Sequence, residues 1–138
     1  MKEEDVTYEQ ADKLKDLGFD WECDHSYLHK TIDKSGNPYL YHVEMRNWNN
    51  FNSEVGCFSA PRLDQAQKWL REVKELHVLP RLENVNKPDY VCIVTLMRKE
   101  SIRITNNGSY FPNYESALSA GIDAALELLT DKKRMENE

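Results

Sequence analysis

Cysteine is scarce in this chain of 138 residues. The three present, Cys23, Cys57 and Cys92, are odd in number and far apart, which excludes the paired framework of a small secreted domain and points to a reducing compartment. Glycine is equally sparse. The five glycines fall at scattered positions, without a phosphate-cradling loop or a dinucleotide fingerprint, and neither G-x-S-x-G nor H-E-x-x-H occurs. Long apolar runs are missing as well. The longest, residues 90–97, has eight residues including Thr95, far short of the roughly 20 that a membrane-crossing helix needs. It reads as a buried strand. Positive charge is in deficit, 18 basic residues against 24 acids, so there is no general attraction to a phosphate backbone.

What is present suits a folded domain. Hydrophobic residues make up 40% of the chain, and a domain of this length buries roughly 68% of its unfolded surface. The core therefore needs no disulfide or metal, and composition forces no cofactor. Residues 1–138 read as a single domain, frayed at 1–6 and 131–138. Met1 and Lys2 are followed by acids rather than an apolar stretch, so no secretory signal is visible and a cytoplasmic location is expected. Residues 1–24 hold nine acids and three lysines and so carry the whole net charge of −6.

The first helix is written with both of its ends. Thr7 and Gln10 make a capping box, Tyr8, Ala11, Leu14 and Leu17 form an apolar stripe, and Gly18 with Phe19 supplies a Schellman stop, predicting a helix over 7–17. Residues 27–32 and 38–45 predict a hairpin across the turn formers of 33–37, because Tyr39, Tyr41, Val43 and Met45 alternate with Leu40, His42 and Glu44. Residues 46–58 are aperiodic and read as loop. Leu63, Ala66, Trp69, Leu70, Val73 and Leu76 mark a second helix, entered through Pro61. Pro80 is expected to end a short strand at 77–79, and 82–88 reads as a polar connection.

Strands follow at 90–97 and around Ile102 and Ile104, joined by a tight turn at 98–100. Asn107 and Gly108 suit a two-residue turn, which is also the better reading of the formal glycosylation triplet ending at Ser109. Asn113 caps the last helix, whose apolar side is Tyr114, Ala117, Leu118, Gly121, Ile122, Ala125, Leu126 and Leu129. Gly121 costs a helix interior roughly 1 kcal/mol relative to alanine, so a close approach to the sheet is expected there. The fold class is α+β, an antiparallel sheet of hairpin plus meander with about three helices packed mainly on one face.

Three segments, residues 10–20 (QADKLKDLGFD), 60–78 (APRLDQAQKWLREVKELHV) and 113–129 (NYESALSAGIDAALELL), carry a likeness. Through them the chain resembles a family of short uncharacterised proteins common in Bacteroides genomes and in their phages and mobile elements, with QKWLRE the most specific run. The resemblance implies provenance; it implies no reaction, cofactor or catalytic residue. The family usually has threonine after the proline where this chain has Arg62, which removes a hydroxyl cap and leaves Ser59 as its substitute.

Candidate chemistry is thin. Cys23, His25 and His29 form a C-x-H-x₃-H string with three zinc-capable side chains, but no fourth ligand follows, and on a strand the two histidines would stand about 13 Å apart. Cys57, between Gly56 and Phe58, is the more accessible thiol, and Cys92 reads as a core residue. Residues 46–52 (RNWNNFN) set Trp48 and Phe51 among asparagines, a chemistry suited to binding because rigid rings lose little entropy on burial. The second helix carries Arg62, Lys68, Arg71 and Lys74, but Asp64, Glu72 and Glu75 intervene, which disfavours nucleic acid.

The reading that results leans away from an enzyme. It is a small accessory protein that binds another macromolecule, a protein partner of unknown identity, through Trp48 and Phe51 or the acidic first helix, with no catalytic residue, metal or cofactor assigned. Two alternatives stand beside it: a metal- or thiol-dependent enzyme using Cys23, His25 and His29 or Cys57, and an acidic nucleic-acid mimic acting through residues 1–24.

Overall fold

A computed structural model describes residues 5–23, 25–32, 38–42, 52, 57–84, 86–96 and 100–136. The chain is α+β, and its backbone gathers into two compact units, residues 1–62 and 63–138.

In the first unit α1 (Tyr8–Asp16) is stopped at both ends by the expected chemistry. Gln10 N–H donates to Thr7 Oγ1 at 3.2 Å while Gln10 Oε1 accepts from Thr7 N–H at 2.9 Å. Gly18 adopts φ +93°, and Gly18 and Phe19 return their N–H groups to Lys15 and Leu14 oxygens at 3.1 and 2.9 Å, closing the Schellman motif. The hairpin forms from β1 (His25–Ile32) and β2 (Pro38–His42), in register Tyr27 to Leu40 and Ile32 to Pro38. Its turn at 33–37 and the tail at 43–45 lie outside the described residues.

The segment expected as loop contributes a third strand, β3 (Cys57–Ser59), antiparallel to β1 in the order β2-β1-β3. Three residues are too few for alternation to register in the sequence. Asn52 ties this edge down: its Oδ1 accepts from Ser59 N–H at 2.8 Å, its own N–H donates to Ser59 Oγ at 3.2 Å, and its Nδ2 donates to Phe19 oxygen at 2.9 Å. Ser59 is thereby occupied within β3 and does not cap the next helix. Asp5 and Val6, within the segment expected to fray, are anchored as well. Asp5 bridges Arg62, Val6 N–H donates to Pro61 oxygen at 2.9 Å, and Val6 is buried.

The second unit opens with α2 (Leu63–Val73), which buries Leu63, Ala66, Trp69 and Leu70 and leaves Val73 half exposed. It ends three residues before Leu76. Glu75 takes a left-handed φ of 55° that turns the chain, and Leu76 begins β4 (Leu76–Asn84). The meander is completed by β5 (Asp89–Leu96) and β6 (Glu100–Ile104) in the order β4-β5-β6. Hairpin and meander thus belong to two three-stranded sheets rather than one, each closed by a strand of its own unit.

β4 runs straight through Pro80, contrary to the expectation from sequence. It is an edge strand, and the Val78 carbonyl faces outward to accept Gln67 Nε2 at 2.5 Å. Pro80, two residues on, turns its nitrogen to the same outer side, where a missing N–H removes no ladder bond. The turn at Asn107 and Gly108 is as expected: both have positive φ, 53° and 87°, and Asn106 and Ser109 exchange two backbone hydrogen bonds of 2.9 Å. Phe111 then bridges Tyr90 beside β5 instead of extending a new strand from β6.

The last helix, α3 (Tyr114–Glu136), is capped by Asn113 Oδ1 accepting from Ser116 N–H at 2.8 Å. Ala117, Leu118, Ile122, Ala125 and Leu126 are buried, and the helix continues past residue 131 to Glu136. Its closest approach to the sheet is at Gly121, where an added Cβ would collide with Cys92 Sγ and lie 2.7 Å from Val78 Cγ1. The glycine is the spacer that lets α3 seat on β4 and β5.

Candidate functional site

The residues singled out from the sequence are distributed differently from their order in the chain. Trp48 and Phe51 lie outside the described residues. Cys57 is placed only by its backbone, opposite Leu28 at the β3 edge. Cys23 is buried and donates its thiol proton to His25 oxygen at 3.3 Å, so Cys23 serves the backbone at the start of β1. His29 lies four residues beyond His25 in the same strand, about 13 Å away along it. The C-x-H-x₃-H string is therefore not folded into one ligand set. No group of three or more His, Cys, Asp or Glu side chains is placed to hold a metal ion among the described residues.

What meets His25 instead is Asp5. Its Oδ2 stands 3.0 Å from His25 Nδ1, off the line of the ring N–H, with both side chains mostly covered. Tyr27, on the same face two residues on, donates its hydroxyl to Val6 oxygen at 2.9 Å. Burial, then the Asp5 carboxylate, raise the Tyr27 phenol above its ordinary value. These contacts fix residues 5 and 6 against β1.

The acidic first helix presents Glu9, Asp12 and Asp16 to solvent, and the segment after its stop adds the exposed Asp20 and Glu22. Its lysines are drawn down: Lys13 and Lys15 are half-buried, and Lys15 Nζ sits 4.8 Å from the centre of the Phe58 ring. The side facing water is more uniformly negative than the sequence alone shows.

A second surface, missed from the sequence, lies in the second unit. Leu82 and Tyr90 are cross-strand neighbours on β4 and β5, and the Tyr90 ring meets Tyr114 edge-on with centroids 6.2 Å apart. Leu82 is 46% exposed and Tyr114 42%. Parity places Leu82 and Tyr90 on the sheet face that α3 covers further along, at Val78 and Cys92. The helix starts only at Tyr114, so this corner of the face is left uncovered. Tyr110, beside the bridging Phe111, is exposed too. The sequence signal was available as the aromatics at 110, 111 and 114, but helical spacing assigned Tyr114 to the core stripe and the Pro80 break put Leu82 in a connection.

The opposite sheet face carries Leu79, 50% exposed, beside Arg81 and Arg103, which both contact Glu83 Oε1 at 3.0 and 3.1 Å. Cys92 lies on the covered face, where burial pushes the thiol up to about 12 and suppresses the nucleophilic thiolate. Among the described residues no helix is long and apolar enough to cross a membrane. Comparison with protein-family models, with curated proteins and with solved structures gives no match for this chain.

Proposed function

We propose that this chain is a non-enzymatic protein-binding module whose contact surface is the corner formed by Leu82, Tyr90 and Tyr114. The observation that carries the reading is that corner itself: one aliphatic and two aromatic side chains, contiguous and open to solvent where α3 begins. Rings of this kind lose little rotamer entropy when a partner covers them, and they recur at the energetic centres of interfaces. The described thiols support it, because Cys23 and Cys92 are both buried. On sequence grounds Trp48 and Phe51 are proposed as a further contact. A cytoplasmic accessory role, of the Bacteroides or mobile-element kind that the three segments resemble, is proposed with it.

The test uses matched baits, the native chain and a Leu82→Asp/Tyr114→Ala double variant. Both positions are about half exposed, so the variant is expected to keep its far-UV spectrum. Proteins retained by the native bait should be lost from the variant, and the purified candidate should bind it at least tenfold more weakly. Equal retention by both baits overturns the reading.

The withdrawn lysines favour a second reading, an acidic surface within residues 1–24, centred on α1 and the segment after it, that occupies a basic protein in place of nucleic acid. Capture of a basic DNA-binding protein would then fall steeply with salt and fail for a Glu9→Gln/Asp12→Asn/Asp20→Asn variant. Undiminished capture by that variant removes it.

A further inference from the structure

The two edges of the second unit's sheet are finished differently, and the backbone hydrogen bonds tell which one is open. Tyr90 and Phe111 exchange both of theirs, at 3.0 and 2.8 Å, so Tyr90 turns its polar groups toward the β6 side of β5. Alternation carries this on to Cys92, Val94 and Leu96, which makes their partners Ile104, Ile102 and Glu100 the residues of β6 that bond inward. Ser101 and Arg103 therefore point their N–H and C=O groups away from the sheet, and among the described residues nothing bonds to them on that side. On β4 the same alternation sets Val78 and Pro80 outward, and there the edge is closed: Gln67 takes the Val78 carbonyl, and Pro80 has no N–H to offer.

β6 has neither guard. It contains no proline, and Arg103 is held over the sheet by Glu83 Oε1 at 3.1 Å instead of standing across the edge. Ile102 and Ile104, opposite the buried Val94 and Cys92, are left half-buried at the rim of the covered face. An open edge with apolar residues on its inner face is a template for another strand, and β6 is complementary to itself. With a twofold axis at Ile102, Ser101 and Arg103 of each copy face Arg103 and Ser101 of the other, so all four outward N–H groups meet carbonyls. Glu100 faces Ile104, no like charges stand opposite one another, and the two Ile102 side chains form a close non-hydrogen-bonded pair. We propose that the chain forms a twofold dimer by antiparallel pairing of β6 with β6 of a second copy, making one six-stranded sheet. α3 is seated on β4 and β5, so its two copies lie about 19 Å apart, roughly four strand spacings, and clear each other. The pairing uses the edge of the sheet opposite Leu82, so it stands or falls apart from the binding corner.

The test is sedimentation equilibrium of the full-length chain, which should show a dimer at about 0.2 mM that dissociates on dilution. Ser101→Pro repeats on β6 the device of Pro80 on β4, removing an outward N–H and no bond of the sheet itself, and should raise the dissociation constant at least tenfold. Because position 101 faces Arg103 of the other copy, Ser101→Lys should weaken the dimer and Ser101→Glu tighten it, each about threefold. A native chain that sediments as a monomer at that concentration overturns the proposal, and so does a dimer unchanged by Ser101→Pro with a native far-UV spectrum. Should that variant unfold, amide exchange followed by NMR in the native chain decides. In the dimer the amides of Ser101 and Arg103 exchange as slowly as that of Ile102; rapid exchange at 101 and 103 beside a protected 102 means an unpaired edge and overturns the proposal.

Discussion

Gly121 occupies a position where alanine would gain about 1 kcal/mol of helix propensity, yet the space for a methyl group is already filled by Cys92 Sγ and Val78 Cγ1. Overpacking a fitted core costs about 1–3 kcal/mol, and here the obstacle is a small, short side chain on a central strand that cannot swing away. Gly121→Ala is expected to lower stability by about 1 kcal/mol or more in urea unfolding, with an unchanged denaturant slope. Adding Cys92→Ala should restore at least half of that loss relative to Cys92→Ala alone, because the sulfur is the nearest obstacle. A Gly121→Ala chain more stable than native would show that α3 seats elsewhere. The close approach at Gly121 was legible in the sequence, since an interior glycine among alanines needs a packing reason. The approach of Asp5 to His25 was not. It depends on where residues 5 and 6 are tied, and no local spacing encodes that.

Elements whose ends are chemically written were read well, and elements whose ends depend on a neighbour were not. α1 carries its cap and its stop within its own sequence, so both can be tested there. Thr7→Ala should cost about 1 kcal/mol through loss of the reciprocal cap. Gly18→Ala should cost a similar amount from backbone strain alone, because φ is +93° and nothing lies within 4 Å of an added Cβ. Thermal unfolding of the two variants checks both, and a neutral Gly18→Ala would refute the left-handed stop. β4 is the opposite case. Proline reads as a strand terminator until the strand is known to be an edge, and only the Val78 carbonyl, facing Gln67, reveals which side is outward. Gln67→Ala should therefore cost about 1–3 kcal/mol, the penalty of an abandoned acceptor, whereas the exposed Lys68→Ala should stay within about 0.5 kcal/mol.

Across the whole molecule, the α+β class followed from alternation and amphipathic spacing, but the division of strands between two sheets did not, because β3 is too short to be seen and so the hairpin lacked its third strand. The two units nevertheless share one response to base. In the first, Tyr27 is raised by burial and by the Asp5 carboxylate; in the second, Cys92 is raised by burial to about 12 from a model-compound value of 9.0. Each group keeps in the folded state a proton that the unfolded chain releases, so stability falls with rising pH wherever the two differ. The contribution of Cys92 is complete below about pH 9 and is lost between 9 and 12; that of Tyr27 is lost above its ordinary value of 10.0. Urea midpoints measured at pH 8, 9.5 and 10.5 should therefore decline, and more steeply at the last step. Cys92→Ala should flatten the decline between pH 8 and 9.5 at some cost in stability at pH 8, because the Tyr27 contribution falls mainly above that interval. An unaltered slope in that variant would mean that the thiol ionises as freely in the folded chain as in the unfolded one, and that α3 does not seal the sheet at Gly121.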